Sequence, residues 1–282
     1  VRGAGFAAGL LLVAACASFP TRLTYLSHRS AAHNGTRVDY AVYTPPGFRG
    51  GEGLPLVVFL HGGFDSEDAF DRHGIAARLD AAIEARRLPP LVAVLPDGEL
   101  GLWANWHDGS RRYEDWVVDE LMPRVRRSHG VGACPAHCLV MGVSMGGQGA
   151  LRFALHRPGR FRGVASISGP AMSAEGMREL YDDRLLRIVL PLHAIFGPPT
   201  EASLARDDLY ARWRGPEDVG VERVFVAWGT EDRRRVVEGG RALSQHLAAH
   251  QIPHRAVEFE GQHRWTSWAP VVDDALAYLL AP

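Results

Sequence analysis

The stretch Cys138–Ala150, CLVMGVSMGGQGA, sets a serine between two glycines in the pattern Gly142-x-Ser144-x-Gly146. A short apolar run, Leu139 to Val143, enters it, and an Ala- and Leu-rich segment of helical character, Gly147 to His156, leaves it. In that setting of strand, sharp turn and helix the pattern is a nucleophile elbow, which holds a serine hydroxyl exposed on a strained turn. The glycines admit neighbouring backbone where a Cβ would collide. A chain with 31 glycines can produce such a pattern by chance, so its meaning depends on suitable partners elsewhere.

A serine hydroxyl attacks a carbonyl only if a base takes its proton and a carboxylate holds that base in one tautomer. On this kind of scaffold the chain order is Ser, acid, His. His263, in Glu260-Gly261-Gln262-His263-Arg264-Trp265, follows the last strand-like run; His246 and His250 fall on a helical stretch and His254 opens a strand. Asp232, a turn beyond the strand-like Val221 to Trp228, is the expected acid, with Glu231 as its substitute. Asp273 and Asp274 come after the histidine and read as helix surface. The oxyanion of an acyl-transfer intermediate needs preorganised N–H donors, worth about 3–4 kcal/mol each. The expected donors are Met145, next to the nucleophile, and Gly63 in His61-Gly62-Gly63-Phe64, with Phe64 the near alternative and His61 a residue that fixes the loop.

These residues need a frame that delivers them to one place. Leu23 to Ser27 and Val38 to Tyr43 read as an antiparallel pair of strands joined through His33-Asn34-Gly35. Leu56 to Leu60, Leu91 to Leu95, Cys138 to Val143, Gly163 to Ser168, Val221 to Trp228 and His254 to Phe259 read as further strands. Helical patterns alternate with them over Ile75 to Arg87, Tyr113 to Arg127 (with a kink expected at Pro123), Glu238 to His250 and Trp268 to Leu280. Continuous apolar strands alternating with helices predict an α/β fold with a doubly wound, mostly parallel sheet. Residues of about 170–220 break the rhythm and are expected to form a small helical cap over the strand ends, with helices around Met177 to Leu186 and Leu204 to Trp213.

Composition narrows the partners. With 31 basic against 32 acidic residues the chain has no field to attract nucleic acid. All the basic residues are arginine, which removes a lysine nucleophile or Schiff base. Residues 1–16 read as an export signal: Arg2 precedes the apolar Phe6 to Ala15, too short to span a bilayer, and Val13-Ala14-Ala15-Cys16 is similar to a lipobox whose Cys16 would become a lipidated N-terminus. A plain secretory signal is the alternative, and residues 17–282 are then one exported domain. In an oxidising compartment Cys134 and Cys138 can close a small disulfide loop, against two free thiols in the core. Cys-x3-Cys with His137 offers too few ligands for a metal site.

Taken together, YEDWVVDELMPRV, LVMGVSMGGQGALRFALHRPGRF and VASISG, with LHGG upstream and WGTED and GQHRWTSW downstream, resemble the esterase family of S-formylglutathione hydrolase (esterase D), feruloyl and acetyl xylan esterases, enterochelin esterase-like proteins and mycolyltransferases. The resemblance covers about Leu56 to Pro282. It implies an α/β-hydrolase fold without metal or organic cofactor, and it maps the triad onto Ser144, Asp232 and His263. An export signal departs from a cytosolic S-formylglutathione hydrolase and argues against that substrate. Trp103, Trp106, His107 and Trp265 are expected to contact the substrate, a small-molecule or polysaccharide-linked ester, by stacking on a sugar or phenolic group, with a structural role the equal alternative for each. The expected activity is ester hydrolysis through an acyl-enzyme. Acyl transfer to a sugar or lipid alcohol shares every residue, and a surface binding lipoprotein with a vestigial triad is the rival from another class.

Overall fold

The computed structural model describes residues 22–184 and 186–281. The proposed leader and Cys16 lie outside the described residues. Eight strands form one sheet: β1 Leu23–Arg29, β2 Arg37–Tyr43, β3 Leu56–Leu60, β4 Val92–Pro96, β5 Cys138–Val143, β6 Gly163–Ile167, β7 Arg223–Gly229 and β8 His254–Phe259. Their spatial order is β1-β2-β4-β3-β5-β6-β7-β8. β2 pairs antiparallel with both β1 and β4, and every pair from β4 to β8 is parallel. This is the mostly parallel sheet expected from the alternating strands and helices, and it has the α/β-hydrolase architecture that the resemblance implies.

Alternation within each strand divides the core between the two faces of the sheet, because successive side chains point to opposite sides. Leu56, Val58 and Leu60 join one apolar cluster, whereas Val57 and Phe59 join the other. The first face carries Tyr113–His129, Met145–His156 and Arg234–Ala249; the second carries Ile75–Glu84 and Trp265–Leu280. All residues of β3, β4, β5 and β6 are buried, as strands covered on both faces must be. Register then aligns the strand ends: Leu60 lies opposite Gly142, Val143 opposite Ile167, Ile167 opposite Ala227 and Gly229 opposite Phe259. Whatever follows these residues in the chain emerges on a single edge of the sheet.

The helical run from Tyr113 to His129 widens to a π-helical stretch over Trp116–Leu121, just ahead of Pro123. That wider turn precedes a residue with no N–H to donate back along the helix. Between β6 and β7 the described residues form six short helices, Ala174–Asp182, Leu186–Val189, Leu192–Phe196, Glu201–Arg206, Leu209–Arg212 and Pro216–Val219; the first overlaps the expected Met177 to Leu186, and the fourth and fifth divide Leu204 to Trp213 between them. Pro191, Pro198, Pro199 and Pro216 interrupt the run, and Ser173, Thr200 and Asp208 each restart a helix by accepting a backbone N–H at its N-cap. Before β5, Cys134 and Cys138 are joined by a disulfide, their Cα atoms 5.0 Å apart.

Candidate active site

β5 ends at Val143 and the following helix begins at Met145, so Ser144 alone makes the turn. Its backbone is held at φ 53°, ψ −119°, a conformation that costs energy for any residue with a Cβ. The glycines around it explain how the turn closes. A Cβ on Gly146 would collide with the Leu60 carbonyl, and one on Gly142 with the Gly146 backbone. The Ser144 N–H donates to the Ile167 carbonyl at 2.8 Å, tying the turn to β6.

Two other strand ends bring a base and an acid to this serine. His263 follows β8, and its Nε2 lies 2.7 Å from Ser144 Oγ. Its Nδ1 lies 2.7 Å from Oδ1 of Asp232, which follows β7. The carboxylate can only accept, so Nδ1 carries the proton and Nε2 presents its lone pair to the serine hydroxyl. The Asp232 side chain is fully buried, whereas His263 retains 14% exposure. Burial alone would raise the Asp232 pKa, but the hydrogen bonds from His263 and Ser168 outweigh it and hold the carboxyl below its ordinary value. Glu231 points elsewhere and accepts from Gln262 Nε2 at 3.0 Å.

The backbone donors expected for an oxyanion stand beside the serine. Met145 is the first residue of its helix, so its N–H has no carbonyl one turn back in that helix to receive it. Gly63 lines the same cleft as Ser144, and a Cβ on the adjacent Gly62 would stand 3.4 Å from that of Ser144. His61 fixes this loop: the Gly98 N–H donates to its Nε2 at 2.9 Å, which leaves Nδ1–H to donate to the Gly62 carbonyl at 2.7 Å. Phe64, next in the chain, is 82% exposed at the rim with φ 66°. The cleft, about 470 Å³, is completed by Asp65, His73, Arg233, Arg264, Trp265, Thr266 and Trp268. A larger groove of about 570 Å³ under the β6–β7 insertion contains none of Ser144, Asp232 or His263.

Of the four residues expected to meet substrate, only Trp265 lines this cleft. Its indole N–H donates to Asp65 at 2.6 Å and its ring stacks on His73, centroids 4.4 Å apart. Trp103 is fully buried, its N–H donating to the His61 carbonyl at 3.2 Å. A Cβ on Gly98 or Gly149 would run into its ring, so the bare backbone at both positions is what accommodates the indole. Trp106 is half-buried and donates to Gly101 O at 3.3 Å. His107 is exposed and holds Ile195 of the insertion through its backbone N–H. These three support the loop and the insertion rather than the cleft.

The sequence reading missed two residues that belong to the constellation. Ser168 Oγ donates to Asp232 Oδ2 at 2.6 Å, and Trp268 Nε1 donates to Ser168 Oγ at 2.9 Å. Trp268 also sets its ring edge-on against His263, with centroids 4.8 Å apart. Neither carries a signal of its own in the sequence: the strand-like run Gly163 to Ser168 absorbs Ser168, and Trp268 falls on a helical stretch.

The fold and the convergence of these strand ends define a protein of the α/β-hydrolase class. The family described as "Putative esterase" matches residues 30–279, and the chain belongs to it. It is similar to Esterase Rv1288 of Mycobacterium tuberculosis, 27% identical over 264 residues that cover 86% of this chain and 56% of that protein. The chain thus spans about half the length of that relative. Among solved structures, the fluorophosphonate-binding serine hydrolase FphF of Staphylococcus aureus matches with a TM-score of 0.77 at 18% identity, covering 94% of this chain and all of that one. S-formylglutathione hydrolase from Agrobacterium tumefaciens matches with a TM-score of 0.72 at 18% identity, covering 92% and 95%. At these identities the two structures speak for the fold.

Proposed function

We propose that this protein is a serine esterase that cleaves carboxylic esters through an acyl-enzyme. The observation that carries the reading is the continuous line Ser144, His263, Asp232, with both links at 2.7 Å, opening into the cleft that Gly63 also lines. Ser144 Oγ attacks the ester carbonyl while His263 Nε2 takes its proton. The oxyanion falls to the N–H groups of Met145 and Gly63. His263 returns the proton to the leaving alcohol, and water then attacks the acyl-enzyme by the same route in reverse. Asp232 keeps the imidazole in the Nδ1–H tautomer throughout. The aromatic rim of Phe64 and Trp265 suits an apolar or phenolic portion of the ester.

Hydrolysis of 4-nitrophenyl esters from acetate to palmitate, with methyl ferulate, tests the reading. Wild-type turnover should fall by at least about four orders of magnitude in Ser144→Ala. Equal rates in the two folded proteins would remove Ser144 from the mechanism. Product analysis with added alcohols reads how the acyl group divides between water and another acceptor.

The same proposal places the enzyme outside the cytoplasm, anchored by a lipid on Cys16. The lipobox-like Val13-Ala14-Ala15-Cys16 supports it, as does the Cys134–Cys138 disulfide, a bond that persists in oxidising compartments. Cys16→Ser should move the protein from the membrane fraction to the soluble one when the full-length chain is expressed in a bacterium that processes lipoproteins. An unchanged distribution would refute the anchor.

A further inference from the structure

Hydrogen-bond accounting gives the buried end of the catalytic line a direction. An indole N–H can only donate and a carboxylate can only accept. Trp268 Nε1 donates to Ser168 Oγ at 2.9 Å, so the one proton of that hydroxyl is free to point at Asp232 Oδ2, 2.6 Å away. Asp232 Oδ1 meanwhile accepts from His263 Nδ1 and from the Arg233 N–H, each at 2.7 Å. Both oxygens of the carboxylate are therefore engaged, and no other side chain fixes Oδ2 among the described residues.

Ser168 occupies this place at a cost. It is fully buried and sits at φ 51°, in the region that favours glycine. Its N–H donates to the Ala227 carbonyl at 2.7 Å, which pins it between β6 and β7. If the turn were all that mattered here, glycine would make it with less strain.

We propose that Ser168 is a positioning residue for the esterase reaction: its hydroxyl, aimed by Trp268, fixes the plane of the Asp232 carboxylate and draws off part of its charge, and so sets both the orientation and the basicity of His263. The proposal rests on the serine-esterase reading. Trp268 serves it twice, through its N–H to Ser168 and through its ring against His263.

The test compares Ser168→Ala with Ser168→Gly. Both remove the hydroxyl, while glycine also relieves the backbone. With a 4-nitrophenyl ester, kcat should fall about ten- to hundredfold in both, as for loss of a hydrogen bond to a charged group, with KM within about twofold. The acid limb of kcat/KM should move to higher pH in both by roughly half a unit to one unit, because a carboxylate with one donor fewer holds the imidazolium more firmly. The other charged or titratable groups facing the cleft, Asp65, His73, Arg233 and Arg264, are the same in all three proteins. The imidazole titration of His263, followed by 15N NMR, should move in the same direction and does not depend on any substrate. Trp268→Phe, which keeps a ring but loses the N–H, should give a smaller shift of the same sign.

A Ser168→Gly protein with wild-type kcat and an unmoved acid limb would overturn the proposal and leave Ser168 a residue of the turn alone. Displaced His263 titration without Ser144-dependent turnover in the wild type would keep the positioning role and refute the esterase reading. An undisplaced titration with turnover intact would do the reverse.

Discussion

The helix Met145–His156 has a buried polar network at each end, and the two are built differently. At its start one line runs from Trp268 through Ser168, Asp232 and His263 to Ser144, with one acid and one base. It ends on a hydroxyl that lines an open cleft. At its far end Arg152 and His156 meet Asp207 of the β6–β7 insertion, and His156 and Arg157 meet Glu114. Arg157 also pairs with Asp115 and Asp119, and Arg206 with Asp207. This second network is branched, and its Arg152–Asp207 pair is almost wholly shielded, with side chains 2% and 1% exposed. The Arg152 guanidinium also lies over the Phe196 ring of the insertion at 5.1 Å. Burial and charge alone do not mark a reactive site. What distinguishes the first network is that its last atom is left facing a cleft, whereas the second closes its charges on one another and fastens the insertion to the helix Met145–His156.

The largest effect that would separate the two comes from Asp207→Asn. Burial alone would raise the Asp207 pKa, yet the Arg152 charge and the bonds from His156 and Arg152 hold it far below the usual carboxylate range. Neutralising it leaves a buried guanidinium uncompensated, a loss of about 3–5 kcal/mol. For a chain of this size that is a fall in melting temperature on the order of 10 °C. Below the transition, turnover per folded molecule should stay within about threefold of wild type. Ser144→Ala should behave in the opposite way, losing its rate while stability moves by less than about 1 kcal/mol. Calorimetry beside ester hydrolysis reads both quantities. If Asp207→Asn lost rate without losing stability, the second network would be part of the active machinery and the comparison would fail.

The parts of this arrangement differ in how far they can be read from sequence. Most strands are local apolar runs, and Ser144, Asp232 and His263 each follow a strand within a few residues, so their meeting at one edge of the sheet can be expected from position alone. The roles of Ser168 and Trp268 cannot be, because their meaning lies in partners 64 and 100 residues away. The aromatic cluster misled in the opposite sense. Trp103 lies in the loop after the parallel strand β4, yet it turns inward where Gly98 and Gly149 leave room for its ring. The insertion was legible as a break in rhythm but not as six helices, since prolines and side-chain N-caps divide it more finely than the apolar spacing suggests. Its anchor, Arg152 to Asp207, joins residues 55 apart that look like ordinary surface charges in sequence.

A smaller effect sharpens the comparison further. Burial would lower the pKa of His156, but its hydrogen bonds with Asp207 and Glu114 raise it above the ordinary value of 6.5. A group whose pKa is raised by folding contributes stability that is complete below its unfolded value and lost as pH climbs through its folded one. Asp232 and Asp207 work in the other direction, since both are depressed and lose their contribution as pH falls through the carboxylate range. Acid destabilisation is therefore shared by the two networks, whereas a decline in stability from about pH 6.5 upward belongs to the one that holds the insertion. Urea denaturation should show the wild type losing stability as pH rises through this window. In His156→Gln the curve should be flatter, starting from a lower value at pH 6. An equally steep decline in the variant would assign the effect to another histidine, and the second network would then hold its charges without responding to pH.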